Sequence, residues 1–242
     1  MITKEESARI LYGDCAPRDF PRYTLAQAAR LVGVSPATLR SWVRGRNYPR
    51  GGVTARFEPL IMVDSELLSF SHLVQVHILR SLRRDEDIRM SRLREAFRWT
   101  KETYGIENLL LSKELRTTPG EVFIDHYGEL INAGLSGQKA IRHALEAFLK
   151  RVDWDTEGRP AQFFPGLITI LAAPPQHEVP RLILINPEIS FGKPVLASRP
   201  ALRVSAIVDR VDAKEDEDEI ARDYGIERRE VDAAIDYEAA AA

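Results

Sequence analysis

The sequence predicts a mainly α-helical protein with small β elements: one helical unit at each end, and a small α+β region between them. Three observations carry that expectation. Residues 23–44, YTLAQAARLVGVSPATLRSWVR, hold two short amphipathic helix patterns on either side of a glycine. Residues 204–238 hold three further helical segments with the same glycine punctuation. The two ends differ in charge, with 15 Lys/Arg against 7 Asp/Glu over residues 22–101 and 6 against 13 over residues 201–242. Such a split points the basic end at nucleic acid and the acidic end at something else.

The first pattern starts with a capping box, Thr24 followed three residues later by Gln27, so a helix begins at Leu25. Leu25, Ala28, Leu31 and Val32 then share one face. Gly33 supplies the left-handed residue that stops the helix, and Val34 returns to the core. Ser35-Pro36 starts a second helix, with Ser as N-cap and Pro at the first helical position. Leu39, Trp42 and Val43 give it a buried side, leaving Thr38, Arg40, Ser41 and Arg44 outward. Two short helices, a tight turn and an outward polar, basic face make a helix-turn-helix. The bland alternative, a helical hairpin from an enzyme core, does not explain the arginines on that face or those that follow at once. The stretch resembles the helix-turn-helix of the MerR superfamily.

The next residues, GRNYPRGGVTARFEPLIMV, carry Gly45, Pro49, Gly51 and Gly52, a hairpin-like turn with Phe57 to Val63 as its returning strand. A wing belongs at this place. Arg46, Arg50 and Arg56 on it would meet phosphates, adding affinity without sequence information. Asp64 is expected to cap a long helix running to about Arg83, with Leu67, Phe70, Leu73, Val74, Ile78 and Leu82 inward. Ile88, Leu93, Phe97 and Tyr104 mark another helix, closed by Gly105.

The chain of 242 residues is 44% hydrophobic with a net charge of −2, enough for a sizeable core and more than one domain. It lacks a run of about 18 apolar residues, so no membrane span is expected. Its polar, charged start does not read as a secretory signal, and a cytoplasmic location is the expectation. Cys15 is the only cysteine, so an internal disulfide or a thiolate zinc site is excluded. His72 and His77 lie five apart without an HExxH context, and His126, His143 and His177 are scattered, so structural roles are expected and no metal or other cofactor. No GxSxG, phosphate loop or paired carboxylates in a definable context appear, and an enzyme is not expected.

Four segments follow: an N-terminal arm over 1–21 that packs on the body or on a second subunit, a DNA-binding domain over 22–105, an α+β connecting or dimerisation region over 106–178, and a C-terminal trihelical domain over 179–242. In the middle region, Glu121–Ile124 and Glu129–Ile131 read as short strands around a Tyr127-Gly128 turn. Ser136–Val152 reads as an amphipathic helix, and Ala161–Phe164 as a strand. The prolines from Pro174 to Pro180 mark a boundary, after which Arg181–Ile185 is a strand. Helices are then expected over Val204–Val211, Glu215–Tyr224 and Glu227–Glu238, with Gly225 and Ile226 repeating Gly33 and Val34.

Carboxylates at Glu215–Glu219 suit a helix N-terminus and repel phosphate, so this unit fits a protein partner, not a second duplex. NPEI at 186–189 and GKPV at 192–195 resemble the opening of the domain-of-unknown-function 433 family. The chain departs from it at Ser198-Arg199-Pro200, where that family has a glycine-threonine-arginine turn.

A MerR-like unit ahead of such a domain is similar to a group of VapB-type antitoxins of bacterial toxin–antitoxin operons. That resemblance implies binding to a PIN-like ribonuclease toxin and repression of the chain's own promoter. It places Thr38, Arg40, Ser41 and Arg44 at bases and nearby phosphates and Arg46, Arg50 and Arg56 on the backbone. It assigns no toxin-contacting residue. A single unit of this size reads few base pairs, so a homodimer on a palindromic operator is expected. The alternative is a MerR-like, ligand-responsive regulator with its pocket in the middle region.

Overall fold

The computed structural model describes residue 6 and residues 10–82, 90–112, 115, 118–131, 135–165 and 180–240. Helix α1 (Leu25–Val32) starts on the capping box: the Thr24 hydroxyl accepts from the Gln27 amide at 3.2 Å, and the Gln27 side-chain oxygen accepts from the Thr24 amide at 2.9 Å. Gly33, at φ 70°, ends it. Helix α2 (Pro36–Arg44) starts on Ser35, whose hydroxyl accepts from the Thr38 amide at 3.1 Å. Ala28, Leu39 and Trp42 are fully buried, so the pair shuts on one apolar seam.

Strands β1 (Arg46–Arg50) and β2 (Val53–Phe57) form an antiparallel hairpin with Arg46 opposite Phe57. Gly51 and Gly52 both have positive φ, as a tight two-residue hairpin turn requires. One correction follows, since Phe57 ends the returning strand instead of starting it. The chain beyond it is fastened to α2, with the Leu60 and Ile61 amides both donating to the Trp42 carbonyl, at 2.7 and 3.1 Å.

The expected helix from Asp64 is shorter, α3 (Phe70–Leu82). The Arg22 and Tyr23 amides both donate to the Leu68 carbonyl at 2.9 Å, and the Leu68 amide to the Tyr23 carbonyl at 2.7 Å. That pairing holds the backbone extended just before the helix, and Leu67, expected inward, is exposed. Ser69 then caps α3 through a reciprocal pair with His72. Every face of α3 is covered, including Ser71, Gln75, His77 and Ser81, the mark of a helix at the centre of a core.

Helix α4 (Met90–Tyr104) packs on α5 (Thr118–Leu130), with Phe97 and Phe123 stacked at 5.0 Å. The two strands expected over 121–131 are thus a single helix. Phe123, Ile124 and Tyr127 are buried at helical spacing, and a Cβ at Gly128 would come within 2.6 Å of the Gln138 side chain, so this glycine serves close packing. Helix α6 (Leu135–Leu149) buries Ile141, Leu145 and Phe148. Val152, expected at its end, belongs to β3 (Val152–Trp154), paired with β4 (Pro160–Phe163). One core runs from Tyr23 through α3 to Phe163 and Ile185, without a break at residue 105. The expected roles of Ile88 and His177, and most of the 174–180 boundary, lie outside the described residues.

Strands β5 (Ile183–Leu184) and β6 (Val195–Leu196) pair antiparallel and lead into α7 (Val204–Asp212), α8 (Glu217–Tyr224) and α9 (Arg228–Ala240). Ile207, Ile220, Val231 and Ala234 form a second core. Gly225, at φ 59°, ends α8 and sends the Ile226 amide back to the Ala221 carbonyl, as Gly33 sends Val34 to Ala29. The Ser198-Arg199-Pro200 turn is fastened to this unit: the Ser198 hydroxyl donates to Glu230 and the Arg199 guanidinium to the Tyr224 carbonyl. The arm packs on the body, with the Tyr12 hydroxyl on the Pro187 carbonyl at 3.1 Å and Arg18 paired with Asp155 at 2.8 Å.

Candidate nucleic-acid interface

Two arginines stand free on the outer side of α2. Arg40 and Arg44 are exposed, and no described carboxylate pairs with either. Thr38 and Ser41, expected beside them, are half-buried and turned towards their own helix. The Thr38 hydroxyl accepts from Ser35 at 2.9 Å, and the Ser41 hydroxyl donates to the Thr38 carbonyl at 2.8 Å.

Hairpin β1–β2 leaves directly from the end of α2 because Gly45 lets it. A Cβ there would lie 2.3 Å from the Phe57 carbonyl oxygen, and its φ of 73° disfavours any other residue. Tyr48 stacks on Phe57 at 3.9 Å and stiffens the sheet. Arg46 and Arg56 are exposed on it, and Arg56 donates to the Arg44 carbonyl at 2.9 Å, binding the hairpin to the end of α2. Arg50 lies at the turn, opposite Val53. The register sets Arg46 on the Phe57 face of the hairpin and Arg56 on the other, where it meets the end of α2.

Sequence reasoning missed a third contributor. Arg94, Arg98 and Lys101 on α4 border a cavity of about 540 Å³ beside the hairpin, together with Arg56 and Tyr48. Arg94 lies over the Phe57 ring at 5.0 Å and donates to the Glu58 carbonyl at 2.9 Å. Its burial, and Arg46 close by, push its pKa down. The i, i+4, i+7 spacing of these three residues was the available signal. Glu58 and Glu107 line the same space and Glu107 pairs with Lys101 at 2.6 Å, so Arg56, Arg94 and Arg98 carry its net positive charge, suited to a polyanion.

At the other end the free negative charge is smaller than the residue count suggests. Asp216 caps α8, accepting from the Asp218 and Glu219 amides at 3.0 Å. Arg210 pairs with Glu215 and Asp223, and Arg228 with Glu217, Asp218 and Asp232. Much of the carboxylate run is thus spent within the unit.

Residues 183–237 match the family described as "Protein of unknown function (DUF433)". The match begins at the first residue of β5 and ends within α9, so it spans the NPEI and GKPV stretches and all three helices. The chain that precedes this DUF433 segment also has relatives. A Mycobacterium tuberculosis protein named "Putative antitoxin VapB45" is 25% identical over 237 residues, covering 90% of this chain and 94% of that one. The same organism's uncharacterized protein Rv2308 is 24% identical over 219 residues, 89% of each chain. The crystal structure of Rv2018 from Mycobacterium tuberculosis superposes with a TM-score of 0.60 at 21% identity, over 90% of this chain and 98% of that one. The arrangement of all the units, and not the DUF433 segment alone, is therefore a shared fold.

Among the described residues, no group of three or more His, Cys, Asp or Glu could hold a metal ion. No described helix is long and apolar enough to cross a membrane. His77 is fully enclosed, stacked on Phe148 at 4.6 Å. His126 stacks on Trp99 at 4.2 Å, and His143 is exposed on α6.

Proposed function

We propose that the chain is the antitoxin of a type II toxin–antitoxin pair and represses its own operon by binding DNA as a homodimer. The likeness to the VapB45 relative along nearly the whole of both chains carries this reading. The toxin is a PIN-like ribonuclease, held by the DUF433 segment or a groove beside it.

In this reading α1–Gly33–α2 and the hairpin are a winged helix-turn-helix. Helix α2 enters the major groove, where Arg40 and Arg44 reach base edges and adjacent phosphates, and Thr38 and Ser41 exchange the bonds to their own helix for contacts there. Arg46, Arg50 and Arg56 follow the backbone on the hairpin, and Arg94 and Arg98 extend the cationic surface. Two copies on a palindrome double the base contacts, with half-sites about one helical turn apart.

Co-expression with the product of the neighbouring reading frame tests the pairing. A PIN-like neighbour should arrest growth alone, co-purify with this chain and lose its ribonuclease activity in the complex. A neighbour that is harmless alone, or a chain that elutes without it, contradicts the antitoxin role.

A further inference from the structure

A cavity of about 250 Å³ lies where α1 faces the DUF433 segment, outside the interface described above. Tyr23, Leu31, Val204 and Tyr237 give it apolar walls. Three cations, Arg22, Arg30 and Lys193, line it against a single carboxylate, Glu238. Glu238 is already paired with Arg30. Arg22 and Lys193 have no carboxylate partner among the described residues. Arg22 is nonetheless fixed, lying over the Phe191 ring at 4.7 Å and donating to the Pro187 carbonyl at 2.8 Å. Carbonyls and ring faces hold a guanidinium in place without cancelling its charge.

The GKPV stretch builds one wall, with Gly192, Lys193 and Pro194 all lining the space. A Cβ on Gly192 would sit 2.2 Å from the Tyr23 hydroxyl, so the wall presses against the side chain just ahead of α1 as closely as a backbone can. Helix α7 opens onto the same space through Val204 and Ser205, and its N-cap, Arg203, supplies no side-chain cap. In its first turn the Val204 amide already donates to the Pro194 carbonyl and the Ala206 amide to the Arg203 carbonyl, both at 3.1 Å, so the helix adds its dipole and the Ser205 side chain.

We propose that this cavity binds a small organic anion, its apolar body against Tyr23, Leu31 and Tyr237 and its charged group between Lys193 and Arg22, beside Ser205. The volume is below that of a drug-sized site, which limits the ligand to a single ring or short chain. Bound there, the anion touches α1 and the DUF433 segment together, and so stabilises their docked arrangement over any in which they part. Binding of this kind needs neither DNA nor a toxin and stands whether or not the antitoxin role does.

Calorimetric titration and thermal melting of the full chain provide the test, using phenyl phosphate and benzoate as probes and inorganic phosphate and phenol as their separate halves. At least one ring-bearing anion should bind saturably at one site and raise the melting temperature, with the halves weaker by about tenfold or more. Whether phenyl phosphate or benzoate binds tighter identifies the head group. Lys193→Glu should weaken the better probe by about tenfold, and Glu238→Gln, which removes the one carboxylate, should strengthen it. Lys150→Glu, exposed and outside the cavity, should leave it unchanged. No saturable binding of either probe, or equal binding in the wild type and Lys193→Glu, overturns the proposal.

Discussion

The Tyr23 hydroxyl donates to the Gly192 carbonyl at 2.8 Å, joining positions 169 residues apart in the sequence. The same tyrosine pairs its backbone with Leu68 ahead of α3. One residue therefore ties the start of α1, the central helix and the DUF433 segment together. Burial pushes its phenol pKa well up, so the hydroxyl stays a donor. Tyr23→Phe should cost about 1–2 kcal/mol, because the Gly192 carbonyl loses its partner in an enclosed site. Urea unfolding measures this, and a change below about 0.5 kcal/mol would show that the bond does not hold the units together.

Arg40 and Arg46 should separate base reading from backbone contact. Arg40→Ala is expected to cost about 1–3 kcal/mol on the operator and much less on unrelated duplex. Arg46→Ala should weaken both alike and flatten the salt slope by about 1. Anisotropy titrations on the two duplexes over a salt series read both effects. Equal, small losses from both substitutions would place α2 and the hairpin away from the DNA.

His77 gives folding a pH dependence of known sign. Its Nε2–H donates to the Phe148 carbonyl at 3.0 Å, and burial, helped by Arg80 and Arg151, lowers its pKa to about 3. The unfolded chain binds a proton there near pH 6.5. The stabilisation is therefore complete above about pH 6.5 and is lost as the pH falls towards 3, by at most about 1.4 kcal/mol per pH unit. His77→Gln should remove that component of the slope, measured by urea titrations at several pH values. An unchanged slope would mean that His77 is protonated in the fold.

The legible parts of this chain were those decided by neighbouring residues. Thr24 with Gln27, Gly33, Ser35 with Pro36, and Gly225 each fix a helix end through bonds a few residues long, and the structure has them all. Misreadings arose where a distant segment decides. Asp64 does not begin α3 because Arg22 and Tyr23 hold Leu68 extended. Residues 121–131 looked like strands because a short apolar run beside Tyr-Gly fits either element, and only packing against Phe97 and Gln138 selects the helix. At the interface, Arg40 and Arg44 were legible from one helix. Arg94, Arg98 and Lys101 were not, since folding brings α4 beside the hairpin.

Glu230 should be the most sensitive carboxylate of the DUF433 segment. It is buried, accepts from the Glu227 amide at 2.8 Å to cap α9, and receives the Ser198 hydroxyl. Glu230→Ala should destabilise the chain by about 1–3 kcal/mol and Ser198→Ala by about 1 kcal/mol, with the double mutant less than additive. Full additivity in chemical unfolding would show that the two do not act as one bonded pair.

The most direct test is a titration of the purified chain onto the duplex upstream of its own gene, and onto a scrambled duplex, over a range of ionic strength. Binding to the upstream duplex should be tighter by about 10³-fold or more, with log K falling linearly against log salt. Equal, weak affinity for the two duplexes at every salt concentration would contradict the account.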